Sequence, residues 1–443
     1  MKQFLFLLFA VLLLVSCEQR QQSGPPNILL IMADDLGYGD LSCYGNPTIE
    51  TPHLDSLAKR GVRFMDFHAN GAVCSPTRAA LMTGKYQQRT GIEGVVTALN
   101  HREVGLSLAE TTIAEELKQH GYRCGMFGKW HLGYAPEFNP IHQGFDEFAG
   151  FVSGNVDYHS HIDQVGYLDW WKGDQVDDEP GYTTDLITDY GVQFIRKQHA
   201  ENPEQPFFLY LAHEAPHYPY QGRNSKGFRE AGKSRVRNAE PDSIPGLYQE
   251  MVETMDEGIG QIIQVLKETG QFENTLILFL SDNGASASGS NGALRGHKAS
   301  PYEGGSRVPA MLSYPAAIQQ AFVSQQTILT MDLLPTFLDF MGEQPSAEID
   351  GLSIKDHLLH KQPIPKRETF FSFKNKSFVR SGDWKLIRLP GEGGYTYALY
   401  DLSQDLGETT NLLAEQPEVG RELVQQLESW EREVSSGITS LTQ

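Results

Sequence analysis

Residues Asn27-Ile28-Leu29-Leu30-Ile31-Met32 form a short apolar run that leads directly into Ala33-Asp34-Asp35. An apolar run of this length predicts a buried strand, and the paired carboxylates predict a loop at its carboxyl end. The same pattern, an apolar run followed by polar residues, recurs in residues 122–127, 207–212 and 276–280. These four runs are the predicted strands from which the rest of the fold is inferred.

Helical segments separate the predicted strands. Thr112-Ile113-Ala114-Glu115 has the spacing of a capping box and predicts the start of a helix that Gly121 ends. A longer helix is predicted for residues 247–269. Alternating strands and helices predict an α/β fold with a mostly parallel central sheet between helices. Because ligands bind beyond the carboxyl ends of such strands, we expect the polar residues that follow the four runs to form one site.

A smaller unit is predicted to follow this large domain. The large domain is assigned to residues 27–364, and a small C-terminal α+β domain is assigned to residues 365–443. The predicted elements of the small domain are strands at 369–379, 384–389 and 397–402 and a helix at 415–434. We expect an antiparallel sheet that packs against the helix.

The N-terminus has the pattern of a targeting segment. Lys2 precedes an apolar run, residues 4–15, that is too short to span a bilayer comfortably and is typical of a signal peptide. The run ends in Leu14-Val15-Ser16-Cys17, which resembles the bacterial lipobox. Residues 1–17 are therefore predicted to be a lipoprotein signal peptide, with lipidation at Cys17 and a polar tether at 18–26. We expect an exported, periplasmic or cell-surface protein, lipid-anchored to a bacterial membrane; a plain cleaved signal peptide is the competing interpretation.

Composition narrows the class of protein. The chain has 443 residues, of which 40% are hydrophobic and 21% charged, as in an ordinary globular protein. The formal net charge of −20 argues against a nucleic-acid-binding protein, which needs a basic face. An anionic substrate therefore has to be attracted by a local cluster of cations and metal. Cys43 and Cys124 are expected to be unpaired thiols, with a disulfide between them as the alternative.

One motif indicates a specific chemistry. Cys74-Ser75-Pro76-Thr77-Arg78, continued by residues 79–86, resembles the signature of the formylglycine-dependent sulfatases of the alkaline phosphatase superfamily. The resemblance implies that a separate maturation enzyme oxidises Cys74 to an aldehyde, whose hydrate attacks sulfur with one hydroxyl and expels sulfate with the other. Pro76 is predicted to lie in the first turn of a helix, which places Cys74 at the helix N-terminus, where a negative oxygen is favoured. The resemblance assigns Arg78 to holding the hydroxyl of the modified residue.

The same resemblance implies a metal site. Asp34, Asp35, Asp282 and Asn283 match the ligands of the family, and the modified Cys74 is the remaining ligand. Carboxylate and amide oxygens are hard ligands that suit Ca²⁺, with Mg²⁺ as the alternative. The metal is expected to hold one oxygen of the sulfate and one oxygen of the modified cysteine.

Four further residues match catalytic positions. Gly128-Lys129-Trp130-His131-Leu132-Gly133 resembles a second sulfatase signature, and the i, i+2 spacing places Lys129 and His131 on one side of an extended segment. The resemblance assigns Lys129 to the sulfate and the nucleophile, and His131 to taking the proton of the remaining hydroxyl. His217 and Lys298 match two substrate-side cations that bind sulfate oxygens, one of which protonates the leaving alcohol.

Residues for substrate recognition are predicted from their chemical type. The resemblance to some sulfatases implies that Ser153 contacts the aldehyde, with an ordinary loop serine as the alternative. The segment that follows Ser153 is rich in groups that suit sugar hydroxyls. Trp170 and Trp171 are expected to stack on a sugar ring, with a place in the core as the alternative. The other predicted substrate-binding residues are Asp157, His159, His161 and Arg295.

These observations together predict a sulfatase that hydrolyses an O-sulfate ester on a sulfated carbohydrate. The resemblance extends into the small domain through Asp383-Trp384-Lys385-Leu386 and Leu399-Tyr400-Asp401-Leu402. A phosphodiesterase or phosphonate monoester hydrolase of the same superfamily is the alternative within the class. A non-catalytic lipoprotein that binds sulfated glycans is the alternative from another class.

Overall fold

The computed structural model describes residues 24–234 and 238–442. The predicted signal peptide with Cys17 and the first part of the predicted tether lie outside the described residues. Within these two ranges, every helix is too short or too polar to cross a lipid bilayer.

The strands are numbered here in chain order. They are β1 (Asn27–Ala33), β2 (Val62–Phe64), β3 (Phe67–His68), β4 (Arg123–Lys129), β5 (Glu147–Phe151), β6 (Trp171–Lys172), β7 (Gln175–Val176), β8 (Phe207–Ala212), β9 (Thr275–Ser281), β10 (Ala310–Ser313), β11 (Phe322–Ser324), β12 (Ile328–Leu329), β13 (Glu368–Phe373), β14 (Lys376–Ser381), β15 (Trp384–Gly391) and β16 (Gly394–Asp401).

The α-helices are numbered in the same way. They are α1 (Pro52–Arg60), α2 (Cys74–Thr83), α3 (Ile113–Gln119), α4 (Thr183–Glu201), α5 (Ile244–Glu268), α6 (Glu303–Ser306), α7 (Leu333–Phe340), α8 (Lys355–His360) and α9 (Pro417–Val434).

Among the described residues, ten strands form the central sheet, in the order β11-β2-β10-β9-β1-β8-β4-β5-β6-β7. The five strands β9, β1, β8, β4 and β5 run parallel to one another. Antiparallel pairing occurs where β10 and β6 meet their neighbours. The predicted α/β class with a mostly parallel sheet is confirmed.

Strand β1 shows why the sequence pattern was informative. All seven of its residues are buried. Alternate side chains enter the two hydrophobic cores on opposite faces of the sheet, with Ile28 in one and Leu29 in the other. A strand covered on both faces needs apolar residues at every position, so it appears in the sequence as a continuous apolar run. Helices α2, α3 and α7 cover the first face, and α1, α4 and α5 cover the second.

The predicted helix boundaries have identifiable causes. The Thr112 hydroxyl accepts the Glu115 N–H at 3.2 Å and the Glu115 carboxylate accepts the Thr112 N–H at 2.8 Å, which confirms the capping box at the start of α3. Gly121 follows the helix with φ of +84°, a conformation that glycine adopts without strain. The long predicted helix is α5, which begins three residues earlier than predicted because Pro245 occupies its first turn.

The C-terminal unit contains a four-stranded antiparallel sheet, β13-β14-β15-β16. The prediction of one strand over residues 369–379 was wrong, because the chain turns at Lys374, where φ is +55°. Helix α9 packs on this sheet through Leu427 and Trp430, which lie in one core with Leu386. The predicted small antiparallel sheet with one helix is confirmed.

Cys43 and Cys124 carry free thiols. Cys43 is half-buried and Cys124 is buried, and neither forms a disulfide within the described residues. The alternative of a bridge between them is therefore not found. Burial raises the pKa of both thiols, which favours their protonated form.

Candidate active site

Four neighbouring parallel strands end at the same edge of the central sheet. Strands β9, β1, β8 and β4 lie side by side, so the residues at their carboxyl ends meet there. Asp282 and Asn283 come from β9, Asp34 and Asp35 from β1, His217 from the loop after β8, and Lys129 from the end of β4. The expectation of one site built from many loops is met.

Helix α2 brings Cys74 to this edge. The helix begins at Cys74, after Val73 in an extended conformation, and all ten of its residues are buried. The Thr77 hydroxyl accepts the Gly71 N–H at 3.1 Å and so ties the first turn to the preceding loop. Cys74 therefore lies at the helix N-terminus, as predicted, where the helix dipole favours negative charge.

The unmodified Cys74 thiol is a poor nucleophile in this environment. Its Sγ atom donates to Asp34 Oδ1 at 3.3 Å and lies 3.3 Å from Lys298 Nζ. Burial, together with the charges of Asp282 and Asp34, raises the pKa of the thiol well above its ordinary value. Because the thiolate is the reactive form, the encoded cysteine is suppressed where a nucleophile is needed.

The residues around Cys74 fit a divalent cation. Ligand atoms of Asp34, Asp35, Cys74 and His217 lie within 4.8 Å of one another, and all four residues are buried. Asn283 Nδ2 donates to Asp35 Oδ1 at 2.8 Å, whereas Asn283 Oδ1 is buried and has no hydrogen-bond partner among the described residues. A buried acceptor without a donor is costly, and a bound cation would satisfy it. The carboxylate and amide oxygens are the donor set that a hard cation prefers.

The pKa values of two of the carboxyl groups are shifted in opposite directions. Burial and the neighbouring Asp34 raise the pKa of Asp282 to about 6, against the effect of Arg78. At Asp35 burial acts in the same direction, but the Lys298 ammonium, 2.5 Å from Oδ1, holds the pKa below its ordinary value. A divalent cation would favour the ionised form of every carboxylate in this group.

Three cations face these three carboxylates. Arg78 donates to Asp282 Oδ2 and to the Lys129 carbonyl, each at 3.0 Å. The Lys129 ammonium pairs with Asp34 Oδ2, and the Lys298 ammonium pairs with Asp35. The formal charges of the side chains therefore balance, and a bound dication would make the site positive. A positive site attracts an anionic ester in spite of the negative net charge of the chain.

His131 is a neutral ring with one free acceptor atom. Its φ of +58° is left-handed, so the predicted extended segment is wrong at this residue. Nε2 lies 2.9 Å from the Val96 carbonyl and must carry the proton, because a carbonyl only accepts. Nδ1 is buried without a partner, and burial together with Lys129 lowers the pKa of the ring. His131 Nδ1 is thus available to accept a proton.

His217 is oriented by its neighbours. Its Nδ1 donates to the Tyr218 carbonyl at 2.6 Å, which directs Nε2 toward Asp35 Oδ2 at 3.7 Å. Burial lowers the pKa of His217 to about 3, against the effect of the neighbouring Asp35, and the role of His217 as a substrate-side cation stays a prediction. An anionic group beside the ring would favour the protonated form.

A cavity of about 600 Å³ opens onto these groups. Its floor contains Asp35, Cys74, His131, His217 and Lys298. The walls are formed by residues 95–99, 153–155 and 163–165 together with Tyr134, Tyr218, Ser234 and Ser286.

Two family models match the chain. The Sulfatase model matches residues 26–343, and the model for the C-terminal region of N-sulphoglucosamine sulphohydrolase matches residues 297–433. Together the two matches extend over almost all of the described chain.

The chain belongs to the sulfatase family.

Individual relatives agree with this assignment. Human arylsulfatase A is 32% identical over 88% of this chain and 83% of its own length. N-acetylgalactosamine-6-sulfatase of Rattus norvegicus is 34% identical over 82% of this chain and 71% of its own length. The crystal structure of Ps i-CgsB in complex with k-i-k-neocarrahexaose has a TM-score of 0.82 and 28% identity, covering 93% of this chain and 94% of that one. The prediction of a sulfuric ester hydrolase is confirmed.

Among the predicted substrate-binding residues of this sulfatase, Ser153 lines the cavity. Its hydroxyl donates to the Asn155 carbonyl at 3.1 Å, and its N–H donates to Asp169 at 2.8 Å. The buried Glu214 carboxyl accepts the Val156 N–H at 2.8 Å and so connects this loop to the loop that carries His217.

The other predicted substrate-binding residues do not line the cavity. The Asp157 carboxylate accepts four backbone N–H groups, from His159, Ser160, Phe228 and Arg229. His159 Nε2 donates to the Gly222 carbonyl at 3.0 Å. The His161 ring is buried and stacks on Trp170 at 4.2 Å between centroids. The structure therefore places these residues in loop organisation rather than at the substrate.

Arg295 and the two tryptophans also have internal partners. Arg295 donates to the Glu408 carbonyl at 2.5 Å and lies over the Tyr302 ring. Trp170 is fully buried, and the indole of Trp171 donates to Asp169 at 2.7 Å. The expectation that the tryptophans stack on a sugar is therefore wrong for Trp170, which fills the core.

Sequence reasoning missed most of the cavity walls of this sulfatase. The position of Tyr218, directly after the predicted His217, could have indicated its place at the cavity. Its ring stacks on the histidine with 4.6 Å between ring centroids. Residues 95–99 carry no such sequence signal, because an apolar loop without a chemical motif does not indicate which cavity it faces.

Proposed function

We propose that this sulfatase hydrolyses an O-sulfate ester on a carbohydrate, using a formylglycine made from Cys74 and a bound divalent metal ion, Ca²⁺ or alternatively Mg²⁺. The observation that carries the proposal is the position of Cys74, at a helix N-terminus on the floor of a cavity, between three carboxylates and three cations. The suppressed reactivity of the thiol supports the view that the encoded cysteine is a precursor. The maturation enzyme that the motif implies is then a required partner.

The nucleophile would be held by this chain's own cations. When formed, a hydrated formylglycine supplies a hydroxyl that attacks sulfur and a second hydroxyl whose deprotonation releases sulfate. Arg78 and Lys129 lie on the α2 side of the site and would bind the negative oxygen, while Lys298, 3.3 Å from Cys74 Sγ, would hold both the nucleophile and a sulfate oxygen. Such fixed charges act by electrostatic preorganisation.

The metal ligands would be Asp34, Asp35, Asp282 and Asn283, with the modified side chain at position 74. A divalent ion there polarises the sulfate and favours the ionised nucleophile. The unpartnered Asn283 Oδ1 supports this assignment.

Two histidines would move protons. His131 Nδ1, which has no partner, would take the proton of the second hydroxyl as sulfate leaves. His217, once protonated beside the anionic ester, would donate its Nε2 proton to the leaving alcohol as the S–O bond breaks. Lys298 is the alternative donor, although its pairing with Asp35 raises the pKa of the ammonium against the effect of burial.

A carbohydrate substrate is supported by the relatives and by the cavity. One relative is named for a sulfated N-acetylhexosamine, and the similar crystal structure contains a neocarrahexaose. The cavity is wide enough for a sugar and combines apolar walls with amide and hydroxyl groups, including Asn155, Gln164 and Ser153.

Export and anchoring remain part of the proposal. The lipobox at Cys17 supports a periplasmic or cell-surface sulfatase with a lipid anchor in a bacterial membrane. A Cys17→Ser variant is expected to move from the membrane fraction to the soluble fraction of the native host, and retention in the membrane would contradict the anchor.

The reaction is tested with protein purified from its native host or produced together with a maturation enzyme. Sulfate release is measured from defined sulfated mono- and disaccharides, with 4-nitrophenyl phosphate and a phosphonate monoester as comparison substrates. We expect sulfate release from at least one sugar and an aldehyde at position 74 by peptide mass spectrometry. Faster turnover of the phosphorus esters than of every sulfate would contradict the proposal. Binding without turnover by an unmodified, native-host protein would favour the non-catalytic alternative.

A further inference from the structure

Arg102 lies beside two residues that line the cavity, Tyr134 and Asp163. Its guanidinium carbon lies 4.5 Å from the centre of the Tyr167 ring and 5.9 Å from the centre of the Tyr134 ring. Its Nη2 atom lies 3.8 Å from Asp163 Oδ2. Because Tyr134 and Asp163 both line the cavity, Arg102 lies next to the wall of the space that leads to Cys74.

The Arg102 guanidinium is restrained in position but forms no hydrogen bond with the residues that the structure describes. Asp163 Oδ1 already accepts the N–H groups of Val165 and Tyr167, at 2.9 and 2.8 Å. The 3.8 Å separation from Asp163 exceeds a hydrogen bond, and the Arg102 guanidinium forms none within residues 24–234 and 238–442. The side chain is 43% exposed. Two aromatic rings and one carboxylate thus hold a planar fork of free N–H donors.

Several arginines of the chain are instead hydrogen-bonded within the protein. Arg78 is buried and hydrogen-bonded to Asp282. On the surface, Arg196 donates to Glu268 and Arg223 donates to Asp185. A guanidinium matches the geometry of a carboxylate or sulfate group with two parallel hydrogen bonds. Stacking on aromatic rings reduces the entropy lost when such a group is bound.

We propose that Arg102 is a second anion subsite, so that the preferred substrate carries a further sulfate or carboxylate group beside the sulfate ester that is hydrolysed. The inference rests on the proposed function and deepens it, since it specifies a substrate with at least two anionic groups. Arg102 would contribute to substrate binding, whereas the chemistry takes place among the groups on the cavity floor.

The test uses sets of three sugars. Each set contains a monosulfated hexose or hexosamine, the same sugar with a second sulfate, and the same monosulfated sugar linked to a hexuronic acid. Sulfate release is measured for the mature wild type, Arg102→Ala, Arg102→Lys and the matched control Arg196→Ala, which removes a surface arginine on α4. Calorimetric titration of the same sugars measures binding independently of turnover.

We expect Arg102→Ala to lower kcat/KM about tenfold for the sugars with two anionic groups, through KM, and to leave the monosulfated sugars within about twofold. Arg102→Lys should recover part of the loss, because it restores the charge without the planar fork. A loss with the disulfated sugars alone identifies a sulfate subsite, and a loss with the uronic acid sugars alone identifies a carboxylate subsite. Added salt should reduce the wild-type preference for the doubly anionic sugars.

Two results would overturn the subsite. One is an equal effect of Arg102→Ala on singly and doubly anionic sugars, which indicates a purely structural role. The other is no effect on either. If the wild type releases sulfate from no sugar, the proposed function fails, and the titrations still decide whether Arg102 selectively binds the doubly anionic sugars.

Discussion

Two buried ionic clusters of this protein use the same residue types for different purposes. The Cys74 cluster consists of Asp34, Asp35, Cys74, Arg78, Lys129, Asp282, Asn283 and Lys298. The Glu303 cluster consists of Asp66, His68, Glu303, Arg307, Arg380, Lys385 and Glu408, and it connects the large domain to the sheet of the C-terminal unit. Each contains a group of side chains that could hold a metal ion by composition and spacing.

The carboxylates of the Glu303 cluster are held by ion pairs. Asp66 pairs with Arg380 at 2.9 Å and with Arg307 at 3.2 Å. Glu303 pairs with Lys385 at 2.8 Å and with Arg307 at 3.1 Å. These ion pairs join carboxylates of the large domain to Arg380 and Lys385 of the C-terminal sheet, so we interpret this cluster as a structural connection.

A cavity reaches the Cys74 cluster, whereas ion pairs enclose the carboxylates of the Glu303 cluster. Asn283 Oδ1 and His131 Nδ1 are buried and have no hydrogen-bond partner among the described residues, and a cavity reaches Cys74 and Lys298. The comparison teaches that buried charge alone does not indicate a functional site. Unsatisfied buried acceptors beside an open cavity do indicate one, because the free-energy cost of removing them from water is recovered only when a ligand binds.

The largest expected effect is on the rate of sulfate release and concerns the Cys74 cluster. Cys74→Ala removes the precursor of the proposed nucleophile, so sulfate release should fall at least about 10⁴-fold while the folded protein remains. The matched control is Cys124→Ala, which removes another buried thiol and should keep the specific activity of the folded protein. Sulfate release measures the activity, and circular dichroism checks that both variants are folded. Turnover by Cys74→Ala equal to that of the wild type would exclude a role for this side chain as nucleophile.

Metal content should distinguish the clusters next. We expect a single divalent ion per mature chain, with loss of the ion and of activity after chelation and recovery on adding Ca²⁺. Asn283→Leu should weaken metal binding at least about tenfold, whereas His68→Gln should leave the metal content unchanged. Elemental analysis measures both variants, and loss of the ion in His68→Gln would reverse the assignment of the two clusters.

A stability measurement tests the Glu303 cluster directly. Lys385 is fully buried, so Lys385→Met leaves Glu303 and Glu408 without their shared cation. We expect the free energy of unfolding to fall by about 3–5 kcal/mol, as for other broken buried ion pairs. Lys366→Met, at an exposed lysine, is the control. Equal urea midpoints for the two variants would show that the cluster does not stabilise the fold.

The smallest expected effect is a pH dependence of stability. Burial would raise the pKa of Glu303, but Lys385 and the neighbouring cations hold it below the ordinary value of 4.5. A carboxyl with a pKa lowered by folding stabilises the native state above its unfolded pKa, and this contribution is lost as the pH falls. The free energy of unfolding should therefore fall more steeply below about pH 4.5 in the wild type than in Glu303→Gln. Parallel urea titration curves across this range would contradict the prediction.

Sequence patterns predicted the parts of this protein that depend on local physics. The apolar runs gave the four strands that carry the site, since residues buried on both faces of a sheet must be apolar at every position. The capping box marked the start of α3, and Pro76 correctly indicated that Cys74 lies at a helix N-terminus. Residues that follow parallel strands were expected to meet, and Asp34, Asp282 and Lys129 do so.

Predictions from residue type failed where the orientation of the side chain decides what it contacts. Asp157 and His161 have the chemistry of sugar ligands, but their side chains hold the backbone of their own loop and pack on Trp170. His131 reaches the cavity from a left-handed conformation that its sequence spacing does not indicate. The walls at residues 95–99 and the position of Arg102 come from loops whose path is set by packing far along the chain.

The sequence by itself determined the family, the central sheet and the residues of the Cys74 cluster, because apolar periodicity and dense motifs encode local structure and chemistry directly. Only the tertiary structure decided which buried polar groups are satisfied and which are free. Asp35 and Asp66 are both buried aspartates paired with cations, yet Asp35 lines a cavity and Asp66 belongs to a connection between two sheets. That difference depends on contacts between residues that are distant in the chain, and such contacts are formed only when the sheets and helices pack.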